Sequence, residues 1–585
     1  MLEKHLALSS DYYYWSDEDH NILLGKWCLK NKNTEHLYKY KHSIIRDIWD
    51  DDKYDSKVSF CNTLHNVFLK HLRKSLNTIH DEDLSIRSWD IIVGWWLLFH
   101  IQTCYDRYHL IKSALEQNPS SCNILTLPAD YFIPADSLEY TKFIYNDLRN
   151  FFLMSWILNE FNYGDLESRP IEAKPQDIRK FTELKTARLH QNQTVSYQGQ
   201  SFKYTFSRSR FSPIILREIL KENGHEELLD YRYGFEPNLK IREQLLSNYQ
   251  PQNHFEQVCI SLLRNQIPAS FLENFKRNLE STNFNYPKNT GIIYTANSIL
   301  TDDSFKIWAT TQIERNKSIL VLGQHSNAYG NLHSQTAEDY ERRIADFYVT
   351  WGWEEDKKTT ALPALPLKPF FEKSIRATSK SEKITFIDAS LPLFNYWLYS
   401  LPQGGDHLAT IQDVLTFYKS LNPTLFKRFE HRLYFQNFGW DEEDILRTNF
   451  PDLKLTNTDG KSPLKEQLNT SKLCVVNYHS MVLSECIVAD YPIICFWNFE
   501  KWKLRQNIKH LYHQLEDVGI LHPTPKSAAE FINQNDEDIQ SWWNNDKTIK
   551  AKKEYASKFC KIGHEPEKAW ADFFNQLMVK HENNS

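Results

Sequence analysis

The chain has 585 residues and a mass of 69.5 kDa, with 69 Lys and Arg against 75 Asp and Glu, a net charge of -6 and a pI near 6.4. At about 150 residues per domain it predicts several domains, and it presents no global basic field for a nucleic acid backbone. Hydrophobic residues at 41% and charged residues at 25% exclude wholesale disorder, while 17 Trp, 30 Tyr and 35 Phe against 16 Gly favour recognition by stacking over recognition by glycine-rich loops.

The first twenty residues carry Glu3, Lys4, His5, Asp11, Asp17 and Glu18 and no apolar stretch, so no secretory signal is expected. The longest apolar run, Ile91 to Ile101, is far short of the ~20 residues that a membrane span needs. Nine cysteines include no C-x-x-C pair and read as reduced thiols. These features predict a cytoplasmic protein, with at most peripheral contact at the inner membrane.

Residues 1–170 read as a mainly helical region. Ile91, Trp95, Leu98 and Gln102 follow helical spacing, Tyr140 to Leu158 is a long Phe-rich segment, and no alternation of strands with helices is expected there. Residues 171–285 read as a connector or insertion leading into the first of two α/β halves, with Pro175 and a short alternating run, Val195 to Tyr204, that suits a hairpin.

Beyond 285 the texture changes to short apolar runs separated by helical segments, the pattern of βαβ units and a mostly parallel sheet. The candidate strands are Gly291–Tyr294, Ser318–Leu322, Phe347–Val349, Ile384–Ile387, Arg432–Phe435, Leu473–Val476 and Ile493–Phe496. Lys357 to Lys373, with Pro363, Pro366 and Pro369, reads as the linker between the two halves, 286–370 and 371–585.

Two turns carry the candidate chemistry. In the first, Gly323 permits a tight turn after a buried strand, and Gln324, His325, Ser326 and Asn327 follow just beyond the strand's carboxyl end, where open parallel sheets bind ligands. His325 has the pKa range of a general base toward a hydroxyl; the alternative is a structural histidine bonded to a loop carbonyl. In the second, Ser480 stands as N-cap of a helix from Met481 to Ala489 between two strands. Free amides there, with His479 and the Ser480 hydroxyl, suit a phosphate, and Glu485 one turn later suits a sugar or ribose hydroxyl. An ordinary capped helix is the alternative. Tyr478 and Val482 beside the serine speak against a hydrolase elbow, which needs small residues there.

Other signals are weaker. Asp17-Glu18-Asp19, the acidic run Asp50 to Asp52 and Asp302-Asp303 read as solvated caps and turns. No H-E-x-x-H and no Cys/His cluster with zinc spacing occurs, so no metal is assigned; without G-x-G-x-x-G or a P-loop, dinucleotide redox chemistry and NTP hydrolysis lack their loops. Lys501, Lys503 and Arg505, interleaved with Trp497 and Trp502, suit a phosphate or lipid headgroup, or else a solvated helix face over buried tryptophans.

The run Gly323-Gln-His325 through Tyr329-Gly330, followed by a Glu-rich helix and Asp346 to Trp353, resembles a bacterial transferase family of O-antigen and surface-carbohydrate gene clusters. Leu23-Leu-Gly25 with Trp27-Cys28, Trp95 through Tyr108, Asn477-Tyr-His-Ser480 with Pro492 and Phe496-Trp497, and Gly519 to His522 with Trp542-Trp543 resemble the same family, so the likeness spans nearly the whole chain. Where that family has Gly-Gly after its Gln-His pair, this chain has Ser326-Asn327.

The resemblance implies an α/β, GT-B-like fold, with two Rossmann-like halves behind a mainly helical N-terminal region. It further implies a metal-independent glycosyltransferase that needs no cofactor beyond its nucleotide-activated donor substrate. The implied reaction moves a sugar, an ulosonic acid among the options, to a hydroxyl of a surface polysaccharide or lipid-linked glycan. On this reading His325 deprotonates or orients the acceptor, Gln324 and Asn327 position it, His479 and Ser480 bind donor phosphate, Glu485 holds a hydroxyl, and Arg505 offsets leaving-group charge. Polyol-phosphate or glycerol-phosphate transfer, and a non-catalytic glycan-binding scaffold, are the alternatives.

Overall fold

Parallel strands are covered on both faces by their crossover helices, so they form from short apolar runs. The computed structural model, which describes residues 3–30, 40–49, 53–186, 200–221, 224–227, 233–372, 375, 377 and 381–584, contains three such sheets. The first is five-stranded, built from β1 (Lys4–Ala7), β2 (His20–Leu23), β3 (His42–Ile44), β4 (Ser121–Leu125) and β5 (Glu167–Ile171) in the order β3-β2-β1-β4-β5. Helices α1 (Tyr54–His80), α2 (Trp95–Leu115) and α3 (Asp147–Phe161) pack with it.

The region is mainly helical, but the expectation that it holds no strand-helix alternation is corrected. Its strands are three to five residues long and interrupted by polar residues whose partners lie across the sheet; the buried His5 ring meets the Ser121 hydroxyl at 2.9 Å. Such strands leave no continuous apolar run in the sequence.

The second sheet joins β6 (Ser201–Ser207), β7 (Gly224–Glu227), β8 (Asn289–Thr295), β9 (Ile319–Gly323), β10 (Phe347–Thr350) and β11 (Thr359–Ala361) in the order β11-β10-β9-β8-β6-β7. Helices α4 (Asp303–Asn316) and α5 (Thr336–Ile344) belong to it. The run that suited a hairpin instead enters β6, whose neighbours β7 and β8 are both parallel to it; residues 195–199 lie outside the described residues. The expected linker contributes the edge strand β11.

The third sheet comprises β12 (Ile384–Ile387), β13 (Phe429–Arg432), β14 (Lys454–Thr456), β15 (Leu473–Val476), β16 (Ile493–Phe496) and β17 (Leu521–His522). Its order, β14-β13-β12-β15-β16-β17, is the Rossmann order when counted within the sheet. The expected pair of Rossmann-like halves is therefore present, with a third parallel sheet ahead of it. Helices α6 (Met481–Ala489), α7 (Lys509–Asp517) and α8 (Asp546–Phe559) follow, and α9 (Pro566–Asn584) crosses back to cover the second sheet. There Trp570, Phe573 and Phe574 pack with Tyr204, Phe206 and Tyr294.

One hydrophobic cluster runs through all three units. A widened π turn at Asp90–Gly94 frees the Asp90 carbonyl, which accepts from the Tyr340 hydroxyl at 2.7 Å, and Arg343 holds the Asp90 carboxylate at 2.9 and 3.0 Å. These bonds dock α5 on the first region. All nine cysteines are buried and unpaired, and among the described residues no helix is long and apolar enough to cross a membrane.

Candidate functional site

At the carboxyl end of β9 the chain passes so close to β8 that a Cβ on Gly323 would lie 2.3 Å from the Tyr294 hydroxyl. The next side chain, Gln324, is buried: its Oε1 accepts from the Trp351 amide (3.0 Å) and Trp353 Nε1 (2.9 Å), and its Nε2 donates to the Ser326 carbonyl (3.0 Å). This amide shapes the loop by three hydrogen bonds to the chain.

His325 is 14% exposed. Its Nε2 lies 3.2 Å from the Tyr329 hydroxyl, its Nδ1 lies 3.8 Å from Glu341 Oε1, and the Arg210 guanidinium donates to its carbonyl at 2.9 Å. Burial, then the nearby Arg210 charge, push its pKa down to about 3, so the ring is neutral at neutral pH. Glu341 receives the hydroxyls of Tyr348 (3.1 Å) and Tyr329 (3.3 Å), yet burial still holds its carboxyl well above the ordinary range. The ring therefore has one nitrogen against a tyrosine hydroxyl and the other buried near a carboxyl without a hydrogen bond.

Across from this loop, the chain leaves β15 through Asn477, Tyr478 and His479 into α6. Ser480 occupies the N-cap position, but its side chain makes no capping bond, and its hydroxyl is buried without a partner. His479 Nε2 pairs with the Tyr512 hydroxyl at 2.7 Å, that hydroxyl donates to Asn331 Oδ1 at 2.7 Å, and burial lowers the His479 pKa to about 4. Glu485, half-buried one turn into α6, has its pKa raised to about 7 by burial. A neutral imidazole, a free hydroxyl, helix amides and a carboxyl titrating near neutrality can together receive a phosphate and hydroxyl groups.

The two turns meet through Asn327. Its Nδ2 donates to the Ser480 carbonyl (3.1 Å) and the Tyr555 hydroxyl (3.0 Å), and its Oδ1 accepts from the Ser484 hydroxyl (2.9 Å). Ser326 Oγ in turn accepts from the Ala328 amide at 3.1 Å. The Ser-Asn pair that replaces Gly-Gly thus ties one half to the other.

Arg505 is also an inter-half tie. It donates to Glu338 (2.7 Å), Glu355 (2.9 Å) and the Leu332 carbonyl (3.1 Å), and Arg342 shares both carboxylates. Its guanidinium points into this network.

Sequence reasoning missed Arg210 and Asp388. Arg210, in the segment read as a connector, follows β6 in a turn where it and Arg208 both adopt positive φ, 63° and 44°. The available signal was Ser207-Arg-Ser-Arg210 directly after the aromatic run Tyr204-Thr-Phe206. Asp388 ends β12 at the third sheet's switch point, where Asn477 donates to it at 2.6 Å and the His431 ring lies 3.3 Å away; an acid straight after the buried Ile384–Ile387 strand was the sign. One group among the described residues, His100, Cys104 and Cys259, has ligand atoms within 4.8 Å of one another, close enough to hold a metal, and is wholly buried.

Comparison with known proteins gives one strong result: a family described as "LIC12162 family transferase" matches residues 4–574. No curated protein matches. Among solved structures, the wall teichoic acid polymerase TagF is 9% identical with a TM-score of 0.33, covering 65% of this chain and 89% of that one. The S. aureus MnaA-UDP complex is 7% identical with a TM-score of 0.36, covering 66% and 97%. Likenesses of that size assign no residues.

Proposed function

The chain belongs to the LIC12162 family of transferases, and from that premise we propose that it transfers a sugar or sugar-like group from a nucleotide-activated donor. The acceptor is a hydroxyl of a bacterial surface polysaccharide or its lipid-linked precursor, met in the cytoplasm or at the inner membrane face. The observation that carries this reading is the Asn327 tie, which sets the His325 turn against the Ser480 turn.

In this reaction the acceptor oxygen attacks the donor carbon while His325 takes its proton, aligned by Tyr329 and Glu341. The bond from that carbon to the donor phosphate breaks, and the nucleotide leaves with the electron pair. Ser480, His479 and the first amides of α6 receive its charge. Glu485 accepts from a donor hydroxyl, and Arg210 braces the base from behind through its carbonyl. Gln324 and Asn327 act by holding these turns, and Arg505 by holding the halves.

The test is calorimetry of CMP, CDP, UDP, GDP, dTDP and ADP on the wild type and on Ser480→Ala, followed by mass spectrometry and phosphorus NMR of the product. One nucleotide bound selectively by the wild type and not by the variant is the expected result. Glycan binding without binding of any nucleotide sinks the proposal, and a phosphodiester in the product replaces glycosyl with phosphoryl transfer.

A further inference from the structure

A cavity of about 750 Å³ lies apart from the His325 and Ser480 turns, neither of which lines it. It opens where three parts of the chain meet: Tyr54 and Asp55 at the start of α1, His333 in the loop after β9, and the segment from Phe499 to His513 that follows β16. Its aromatic walls are Tyr54, Phe499, Trp502 and Tyr512. Trp502 and Tyr512 are 6% and 2% exposed, so they form a fixed floor, where mobile flaps would be more exposed.

The charges of the lining are unevenly answered. Asp55 is paired with His333 at 3.0 Å. Lys503 lies 5.9 Å from the Tyr54 ring, and neither it nor Lys509, at the first turn of α7, forms an ion pair among the described residues. Fixed aromatic faces take the C–H faces of sugar rings, carboxylates accept their hydroxyls, and two free ammonium groups on one wall take a single anionic substituent. We propose that this cavity binds an anionic saccharide, one that carries a phosphate or a carboxylate.

A nucleoside diphosphate fits less well, because it brings more negative charge than two lysines can answer beside Asp55 and Glu500. The floor also places the site in relation to the Ser480 turn. The Tyr512 hydroxyl joins His479 and Asn331, each at 2.7 Å, so a saccharide on this floor stands one side chain away from the Ser480 turn. Its role as the acceptor rests on the transferase reading; its binding does not.

Calorimetry and saturation-transfer NMR with glucose 6-phosphate, glucuronate, glucose, inorganic phosphate and UDP test the site on the full chain without any donor. The expected result is binding of glucose 6-phosphate, of glucuronate, or of both, the two arms telling phosphate from carboxylate. Glucose or phosphate alone binds more weakly, and Lys503→Ala with Lys509→Ala weakens the anionic sugar by about tenfold or more. The Lys503→Arg, Lys509→Arg protein retains binding, which separates lost charge from lost fold. Ser480→Ala and His325→Ala retain it as well, so a failed donor site and a failed saccharide site give different patterns. The proposal is overturned if neither anionic sugar binds, if glucose binds as tightly as glucose 6-phosphate, if the alanine pair leaves binding unchanged, or if UDP alone is affected by it.

Discussion

The turn after β9 and the turn after β15 sit at equivalent ends of two Rossmann-like sheets, yet their polar side chains are committed to different degrees. Around His325, Gln324 and Asn327 spend their amides on the neighbouring chain, the His325 Nε2 meets the Tyr329 hydroxyl, its carbonyl accepts from Arg210, and its Nδ1, 3.8 Å from Glu341, is buried without a hydrogen bond. Around Ser480, the Ser480 hydroxyl and His479 Nδ1 are buried without partners, and Glu485 is half-buried with no ion pair among the described residues. A buried polar atom left unpaired costs roughly 1 to 3 kcal/mol, so a fold retains several together where a ligand completes them. The difference is one of degree: the first turn leaves one buried ring nitrogen without a partner, the second a ring nitrogen and a hydroxyl.

The comparison breaks most sharply at His325. Replacement by alanine is expected to lower turnover by about a hundredfold or more while leaving nucleotide affinity near that of the wild type. Unchanged turnover in a product assay removes the base from the mechanism. Next in size is the tie between the turns. Asn327→Ala, which strands the Ser480 carbonyl and leaves the Ser484 hydroxyl only its longer contact with Tyr555, is expected to destabilise the chain by roughly 2 to 4 kcal/mol in denaturant unfolding, whereas exposed Thr448→Ala stays within about 0.5 kcal/mol.

The receptive side has a pH signature. Glu485 titrates near 7 in the fold against 4.5 when free, so the folded chain binds more protons between those values and its stability falls as pH rises through them. The fall is on the order of 2 kcal/mol, and Glu485→Gln should flatten it when urea unfolding is compared at pH 5, 6 and 7. A variant with the same slope as the wild type assigns the titration elsewhere. The smallest effect is expected at Arg505→Ala, which gives up a partly exposed ion network for about 1 kcal/mol of stability with turnover within about threefold of wild type. A large loss of turnover there returns Arg505 to the leaving group.

Much of the third sheet was legible. Leu473–Val476 and Ile493–Phe496 are strands at their expected bounds, because both are buried on two faces and uninterrupted in sequence. The strand expected at Arg432–Phe435 lies three residues earlier, at Phe429–Arg432, where Glu430 meets Lys454 and His431 meets the Tyr418 hydroxyl at 2.9 Å; polar residues satisfied by neighbours hide a strand from periodicity. The same physics concealed the first sheet, and β6 was lost among prolines and polar residues.

The sequence by itself determined the local units: apolar runs that must become buried strands, a glycine where the chain passes a tyrosine ring, and a serine placed to begin a helix. These depend on neighbours within a few residues. Only the tertiary structure decided what each polar side chain does, since hydrogen-bond capacity is finite and the partners come from far along the chain. Asn327 finds its partners 153 and 228 residues away, and Arg505 is claimed by acids at Glu338 and Glu355 before any ligand can reach it.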